Sequence, residues 1–237
     1  MIISGLEYII NSKTKTPGDF HTVNVMNSKL RKPNDDEIDT CASLIFTSGP
    51  DLYRYIFANQ EPNIYDYIKF LCNVKGSLFS TDNIVIEEEE DSIVRGLILA
   101  YPVRDMVKIS VKMLKSIPGL MRISGFEQFS KITLRMGLNR YFPGTSHDEL
   151  FISNLAVLEE YRGKGIGFTL LQKAEDMALA NNLRKLSLYV EIDNSNAIRI
   201  YEKYGFIKEK ESILPEKYHR HNLFGFYKMV KVITPAR

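Results

Sequence analysis

Arg162-Gly163-Lys164-Gly165-Ile166-Gly167 places two cations and three alternating glycines within six residues. Such a turn suits an anion. Glycine removes the Cβ atoms that keep a phosphate from the backbone, and the first N–H groups of a following helix carry partial positive charge with no intrahelical acceptor. On spacing alone, a tight strand-to-helix turn with solvated cations stays open as the alternative. The spacing differs from the Gly-Lys-Ser/Thr phosphate loop and from the Gly-x-Gly-x-x-Gly dinucleotide turn. The run Glu87-Glu88-Glu89-Glu90-Asp91 reads as a solvated turn rather than a metal site, since adjacent carboxylates repel and seek water. Cys41 and Cys72 have no partners at metal-ligand spacing and read as buried or incidental free thiols, so no metal is expected.

The elements around the turn follow from periodicity. Leu150 to Val157 reads as a strand, and Ile166 to Ala180 as a helix with Ile166, Leu170, Ala174, Met177 and Ala178 on one stripe, stopped by Asn181-Asn182. Leu186, Leu188 and Val190 alternate with Ser187, Tyr189 and Glu191, which makes a strand-helix-strand crossover with the turn at a carboxyl end of the sheet. Asn194-Ser195-Asn196 can cap a further helix with Ala197, Ile200, Tyr201 and Tyr204 facing inward and Gly205 ending it. Phe206 to Lys210 and Leu223 to Lys231 read as a closing strand pair.

Upstream, residues 1–26 read as an N-terminal extension and 27–237 as a single domain. Lys29 to Lys32 suits a short strand, and Asn34 with Glu37 forms a capping box for a helix from Asp35 to Phe46. Pro50 and Pro62 fall at first-turn positions of two further helices, the second with Ile64, Tyr67, Ile68 and Leu71 on one face. Ile84 to Ile86 and Ile93 to Tyr101 suit a hairpin with Glu87 to Ser92 as its charged tip. From Pro102 to His147 a helical insertion is expected, its first helix ended by Pro118-Gly119. Arg104, Lys108, Lys112, Lys115, Arg122, Lys131, Arg135 and Arg140 there face only Asp105 and Glu127. An amphipathic pair with a solvated basic face accounts for this more simply than a nucleic-acid site.

Composition bounds the rest. With 237 residues, 44% hydrophobic, 25% charged and a formal net charge of +2, the chain has the balance of a soluble globular protein with no strong attraction to nucleic acid or membrane. Met1 to Ile10 lacks both a basic leader and a continuous apolar run, so a cytoplasmic protein is expected.

Two segments in order carry a family resemblance. Arg162 to Gly167, preceded by Leu155-Ala156-Val157 and Tyr161, resembles the Arg/Gln-x-x-Gly-x-Gly/Ala signature of the GNAT superfamily, the acetyl-CoA-dependent N-acyltransferases. The segment from Asn194 to Phe206 resembles the same family's Asn-x-x-Ala-x-x-x-Tyr-Glu-Lys-x-Gly-Phe stretch. Matching is good from Glu149 to Phe206, weaker from Leu30 to Tyr101, and absent from 1–26 and 102–147. Glu159 stands where many members have Pro.

The resemblance implies an α/β fold: a mixed, mostly antiparallel sheet, helices on both faces, and a parallel strand pair splayed at a cofactor cleft. It implies that backbone N–H groups of Arg162, Gly163, Lys164, Gly165, Ile166 and Gly167 hold the pyrophosphate of acetyl-CoA. Leu155 and Val157 would pair with its pantetheine arm, which Asn194 would touch. The Leu155 N–H would face the thioester oxygen, Tyr201 would be the general acid, and Glu149 is the candidate base, with a surface carboxylate as its plainer reading. The function so implied is acetyl transfer to a primary amine, with a small molecule favoured over a protein as acceptor. A CoA-binding sensor without turnover is the rival reading. A homodimer stays open. The insertion would form a lid on the acceptor side, with Phe126, Phe129 and Leu138 packed on the domain and its cations favouring a neutral or carboxylate-bearing amine.

Overall fold

The computed structural model describes residues 29–57, 63–89 and 93–233; the expected extension at 1–26 and Pro62 lie outside them. Seven strands form one sheet: β1 (Lys29–Arg31), β2 (Ile84–Glu88), β3 (Val94–Pro102), β4 (Glu149–Val157), β5 (Lys185–Glu191), β6 (Ile207–Ile213) and β7 (Gly225–Val232). Their order is β1-β2-β3-β4-β5-β7-β6. Every pairing is antiparallel except β4 with β5.

Period-two alternation divides the strands between two cores. On one face Ile84, Ile86, Leu97, Leu99 and Tyr101 pack with α1 (Ile38–Thr47) and α3 (Asn63–Asn73), through Cys41, Leu44, Ile45, Ile64, Tyr67 and Ile68. On the other, Val85, Ile98, Leu150, Ile152, Leu186, Leu188 and Val190 meet Ile166, Leu170, Leu171, Ala174 and Ala178 of α6 (Ile166–Ala180). The expected capping box is present, with the Asn34 N–H donating to the Glu37 carboxylate at 2.7 Å. Pro50 opens α2 (Pro50–Ile56). Both cysteines are buried, and that burial pushes each thiol up to about 12, which suits inert core residues.

Four expectations need correction. Glu87 and Glu88 do not belong to a solvated tip: β2 continues through both, and they are buried. Glu87 accepts from the Arg95 guanidinium at 3.0 Å, and Glu88 pairs with Arg31 and with Lys29 at 3.2 Å. Strand continuity and three cations outweigh the repulsion between neighbours, because alternate strand positions send the two carboxylates to opposite faces.

Pro118-Gly119 does not end a helix in the insertion. After α4 (Met106–Leu114), Pro118 sits in the first turn of α5 (Ile117–Arg135), where its missing N–H costs nothing. The break falls at Gly125, with φ of 72°. Of the three apolar residues expected to pack, Leu138 is buried, Phe129 is half-buried, and Phe126 is 73% exposed. Finally, in α7 (Ser195–Tyr204) Ala197, Tyr201 and Tyr204 pack on the core as expected, but Ile200 is exposed and Ile198 is buried.

Candidate active site

The site is built where two parallel strands part. β4 and β5 pair from Glu149 with Lys185 to Ile152 with Leu188, after which both strands continue unpaired to each other. The parting coincides with a bulge. Opposite β3 the register slips between Leu99 with Asn154 and Ala100 with Ile152, leaving Ser153 as the extra residue. Leu158 N–H donates to the Arg95 carbonyl at 2.8 Å. Alternation of the antiparallel ladder therefore gives Ala156 and Asn154 to β3 and turns the N–H and C=O groups of Leu155 and Val157 toward the gap.

The glycine turn lies just beyond. A short 3₁₀ turn, Glu159–Tyr161, leads to Arg162, then Gly163 at φ 78° and Gly165 at φ 87°, which caps α6. Both angles lie in the left-handed region, where a side chain is strained. Gly167 needs another reason, because it is helical and costs helix stability. A Cβ added at Gly163 or Gly167 would meet no protein atom within 4 Å. The space in front of the α6 N-terminus is thus open, and the donors there suit an anion such as a pyrophosphate. Arg162 Nε donates to the Val157 carbonyl at 3.2 Å, and Lys164 Nζ rests 4.7 Å from the centre of the Tyr161 ring.

The second matched segment approaches from α7. Asn194 Oδ1 accepts from the Ala197 N–H at 3.1 Å, and Gly205 at φ 100° closes the helix. Tyr201 packs in the same cluster as Leu155 and Val157 and meets the Phe206 ring edge-on at 5.7 Å. Burial pushes its phenol up to about 12, so the hydroxyl keeps its proton near neutrality.

Glu149 opens β4, as expected, but it is not the surface carboxylate of the plainer reading. It is buried rather than exposed, and its Oε1 accepts from Lys228 Nζ at 2.8 Å while Oε2 has no hydrogen-bond partner. Lys228 also pairs with Glu209 at 2.7 Å. Desolvation acts to lower the Lys228 ammonium, but hydrogen bonds to Glu149 and Glu209 win and hold it above the ordinary lysine range.

Glu191 escaped the sequence reading. Burial, with Asp193 and Asp51 as further causes, pushes its carboxyl up to about 7. Its only sequence signal was a place in the polar half of the β5 alternation. The neighbouring surface is aromatic: Phe142 stacks on Tyr189 at 5.0 Å and meets Phe226 at 4.5 Å, and Tyr55 meets Tyr218 edge-on at 5.5 Å. Asn154 ties β4 to this side by donating to Ser48 Oγ at 2.7 Å and Tyr53 Oη at 2.8 Å.

Among the described residues no cluster of His, Cys, Asp and Glu could hold a metal, and no helix is long and apolar enough to cross a membrane.

Residues 125–206 match the model of the Acetyltransferase (GNAT) family. The chain is 38% identical over 69 residues to the mycothiol acetyltransferase of Corynebacterium efficiens, covering 29% of this chain and 23% of that one. It is 37% identical over 60 residues to N-alpha-acetyltransferase 30 of Schizosaccharomyces pombe, covering 25% and 40%. It spans less than half the length of these curated relatives. In fold, it resembles the crystal structure of an N-acetyltransferase from Staphylococcus aureus Mu50, with a TM-score of 0.63 over 85% of this chain and 99% of that one at 20% identity. With the signature turn, the parted strands and the matched helix in one place, residues 125–206 of this chain are similar to the acetyltransferase (GNAT) family.

Proposed function

We propose that the protein is an N-acetyltransferase that moves the acetyl group of acetyl-CoA to a primary amine by direct attack. The observation that carries this reading is the parting of β4 from β5 beyond Ile152, which leaves Leu155 and Val157 with backbone donors and acceptors facing a gap that opens onto the glycine turn. A bound acetyl-CoA would supply the activated thioester. The N–H groups from Arg162 to Gly167 and the N-terminus of α6 hold its pyrophosphate. Leu155 and Val157 pair with the pantetheine arm in place of a neighbouring strand, and Asn194 borders it.

The Leu155 N–H stabilises the oxyanion that develops at the thioester carbonyl. Tyr201, kept protonated by burial, gives its proton to the departing sulfur. Glu149 shares Lys228 with Glu209 at the entry of β4.

The acceptor we favour is a small amine. The insertion does not stop at the surface: Leu138, Tyr141 and Phe142 pack with Leu214, Tyr218, Leu223 and Phe226, closing the acceptor side with aromatic walls. Arg135 is committed to the Tyr55 carbonyl at 2.7 Å and lies over the Tyr55 ring, so it shapes this wall as well as charging it. Screening amines for thiol release from acetyl-CoA tests activity and acceptor class together. Turnover with small amines is expected. Tight acetyl-CoA binding without turnover of any amine or peptide would favour a sensor of the same fold.

A further inference from the structure

We propose that Glu191 is the group that takes the proton from the acceptor amine, an inference that rests on the acetyl-transfer reading above. Pairing ends at Ile152 with Leu188, and Glu191 lies three residues beyond it on β5, as Leu155 does on β4, both at the carboxyl ends where the strands part. Its side chain belongs to the face of Ser187 and Tyr189, opposite to Leu186, Leu188 and Val190, which pack under α6. That face is the one closed by α2 and the end of the insertion. Tyr201 packs from the other face, with Leu155 and Val157. The carboxylate and the phenol therefore flank the reacting carbonyl from opposite sides, one where a nucleophile enters and one where sulfur leaves.

The surroundings suit the task. Phe226 faces Glu191 across β7, Asp193 follows it, and Asp51 faces it from α2 while paired with Arg54 at 3.5 Å. Lys228, opposite Tyr189, is committed to Glu149 and Glu209. Burial and the two aspartates leave the Glu191 carboxyl near 7, where a base is half-ionised at neutral pH and still able to accept a proton. Glu149 is poorly placed for the same work. It lies six residues before Leu155, about 20 Å of extended strand, with one oxygen held by Lys228.

In the step proposed, the Glu191 carboxylate takes one proton from the acceptor ammonium. The freed nitrogen pair forms the C–N bond, the C–S bond breaks with its electron pair on sulfur, and sulfur takes the Tyr201 proton. The second nitrogen proton restores the phenol, and Glu191 releases its proton to solvent.

The test compares pH profiles of kcat/KM for the parent, Glu191→Gln and Glu149→Gln, with the amine found by the screen. The parent should lose activity as pH falls through about 7, because only the ionised carboxylate accepts a proton. Glu191→Gln should lose roughly 100-fold in kcat and the acid limb with it, while acetyl-CoA Kd stays fixed. Glu149→Gln should keep the limb. An active parent whose limb survives in Glu191→Gln, or vanishes in Glu149→Gln, overturns this inference alone; a parent inactive toward every amine overturns the transferase reading and this inference together. Should Glu191→Gln fail to fold, a carbon-13 titration of the parent's Glu191 carboxyl decides, and a midpoint near the ordinary 4.5 overturns the proposal.

Discussion

The two sides of the cleft are made by opposite strategies. On the side proposed for the cofactor, strand, turn and helix follow one another from Glu149 to Ala180, so the groups proposed to meet an anion are neighbours in the chain. On the side proposed for the acceptor the wall is assembled from α2, the end of the insertion, β5, β7 and the loop between β6 and β7, which lie far apart in sequence. A contiguous site can be read as a motif. A site assembled by packing is visible only once the packing is known, and the two should fail differently when disturbed.

The largest effect is expected on the assembled side. Leu138 is 1% exposed within the cluster of Leu214, Tyr218, Leu223 and Phe226. Truncating it in Leu138→Ala should cost roughly 2–5 kcal/mol of stability through lost burial and the cavity left behind. Chemical denaturation measures this, and acceptor KM should rise while acetyl-CoA KM holds. A rise in acetyl-CoA KM alone would break the division of labour between the two sides.

Next comes Tyr201→Phe, which removes one oxygen from the contiguous side. Packing against Phe206 and acetyl-CoA affinity should persist, while kcat falls roughly 10- to 1,000-fold. Single-turnover kinetics at fixed pH reads the difference. Full activity would mean that the leaving sulfur draws its proton from elsewhere.

Legibility followed the same divide. The glycine turn, the capped helix ending at Gly205 and the crossover pairing were readable because local spacing encodes them, and the family motifs sit there. The splay gained support from residues the motif never mentions, since the bulge at Ser153 is a register event between β3 and β4. Glu87 and Glu88 misled because a run of like charges says nothing of cations brought by Lys29, Arg31 and Arg95 from other positions. Glu149 was noticed for its place before the turn, yet its partner Lys228 lies 79 residues away. Glu191 was passed over because its perturbation comes from burial and from Asp51 on α2, which no spacing near β5 announces.

A smaller effect is expected at Gly167. This position suits a clean test of the turn, since it is helical, unlike Gly163 and Gly165 with their positive φ, and an added Cβ there meets no protein atom within 4 Å. Gly167→Glu should leave stability nearly unchanged, because an acidic residue in the first helical turn complements the dipole. Acetyl-CoA affinity should nevertheless fall at least tenfold, or about 1.4 kcal/mol, as the carboxylate occupies space and repels phosphate. Calorimetric titration distinguishes this from an unchanged Kd, which would make the open turn merely a surface feature.

The smallest effect is expected at Phe126, and it sharpens the comparison most. Phe126 follows the break at Gly125 and is 73% exposed, along with Val107, Val111, Leu114 and Leu134 on the same insertion. The end of the insertion is bound into the acceptor wall, where Ser212 donates to the Tyr141 carbonyl, while this outer face touches neither the cleft nor the cores. A residue with so little buried area has little to lose, so Phe126→Ser should change stability by less than about 0.5 kcal/mol and leave both KM values as they were. Thermal unfolding and steady-state kinetics on the same preparation check both halves. A large rise in acceptor KM with unchanged stability would show that the outer face of α5 closes over the substrate during turnover, moving the functional boundary of the insertion from Leu138 back to Gly125.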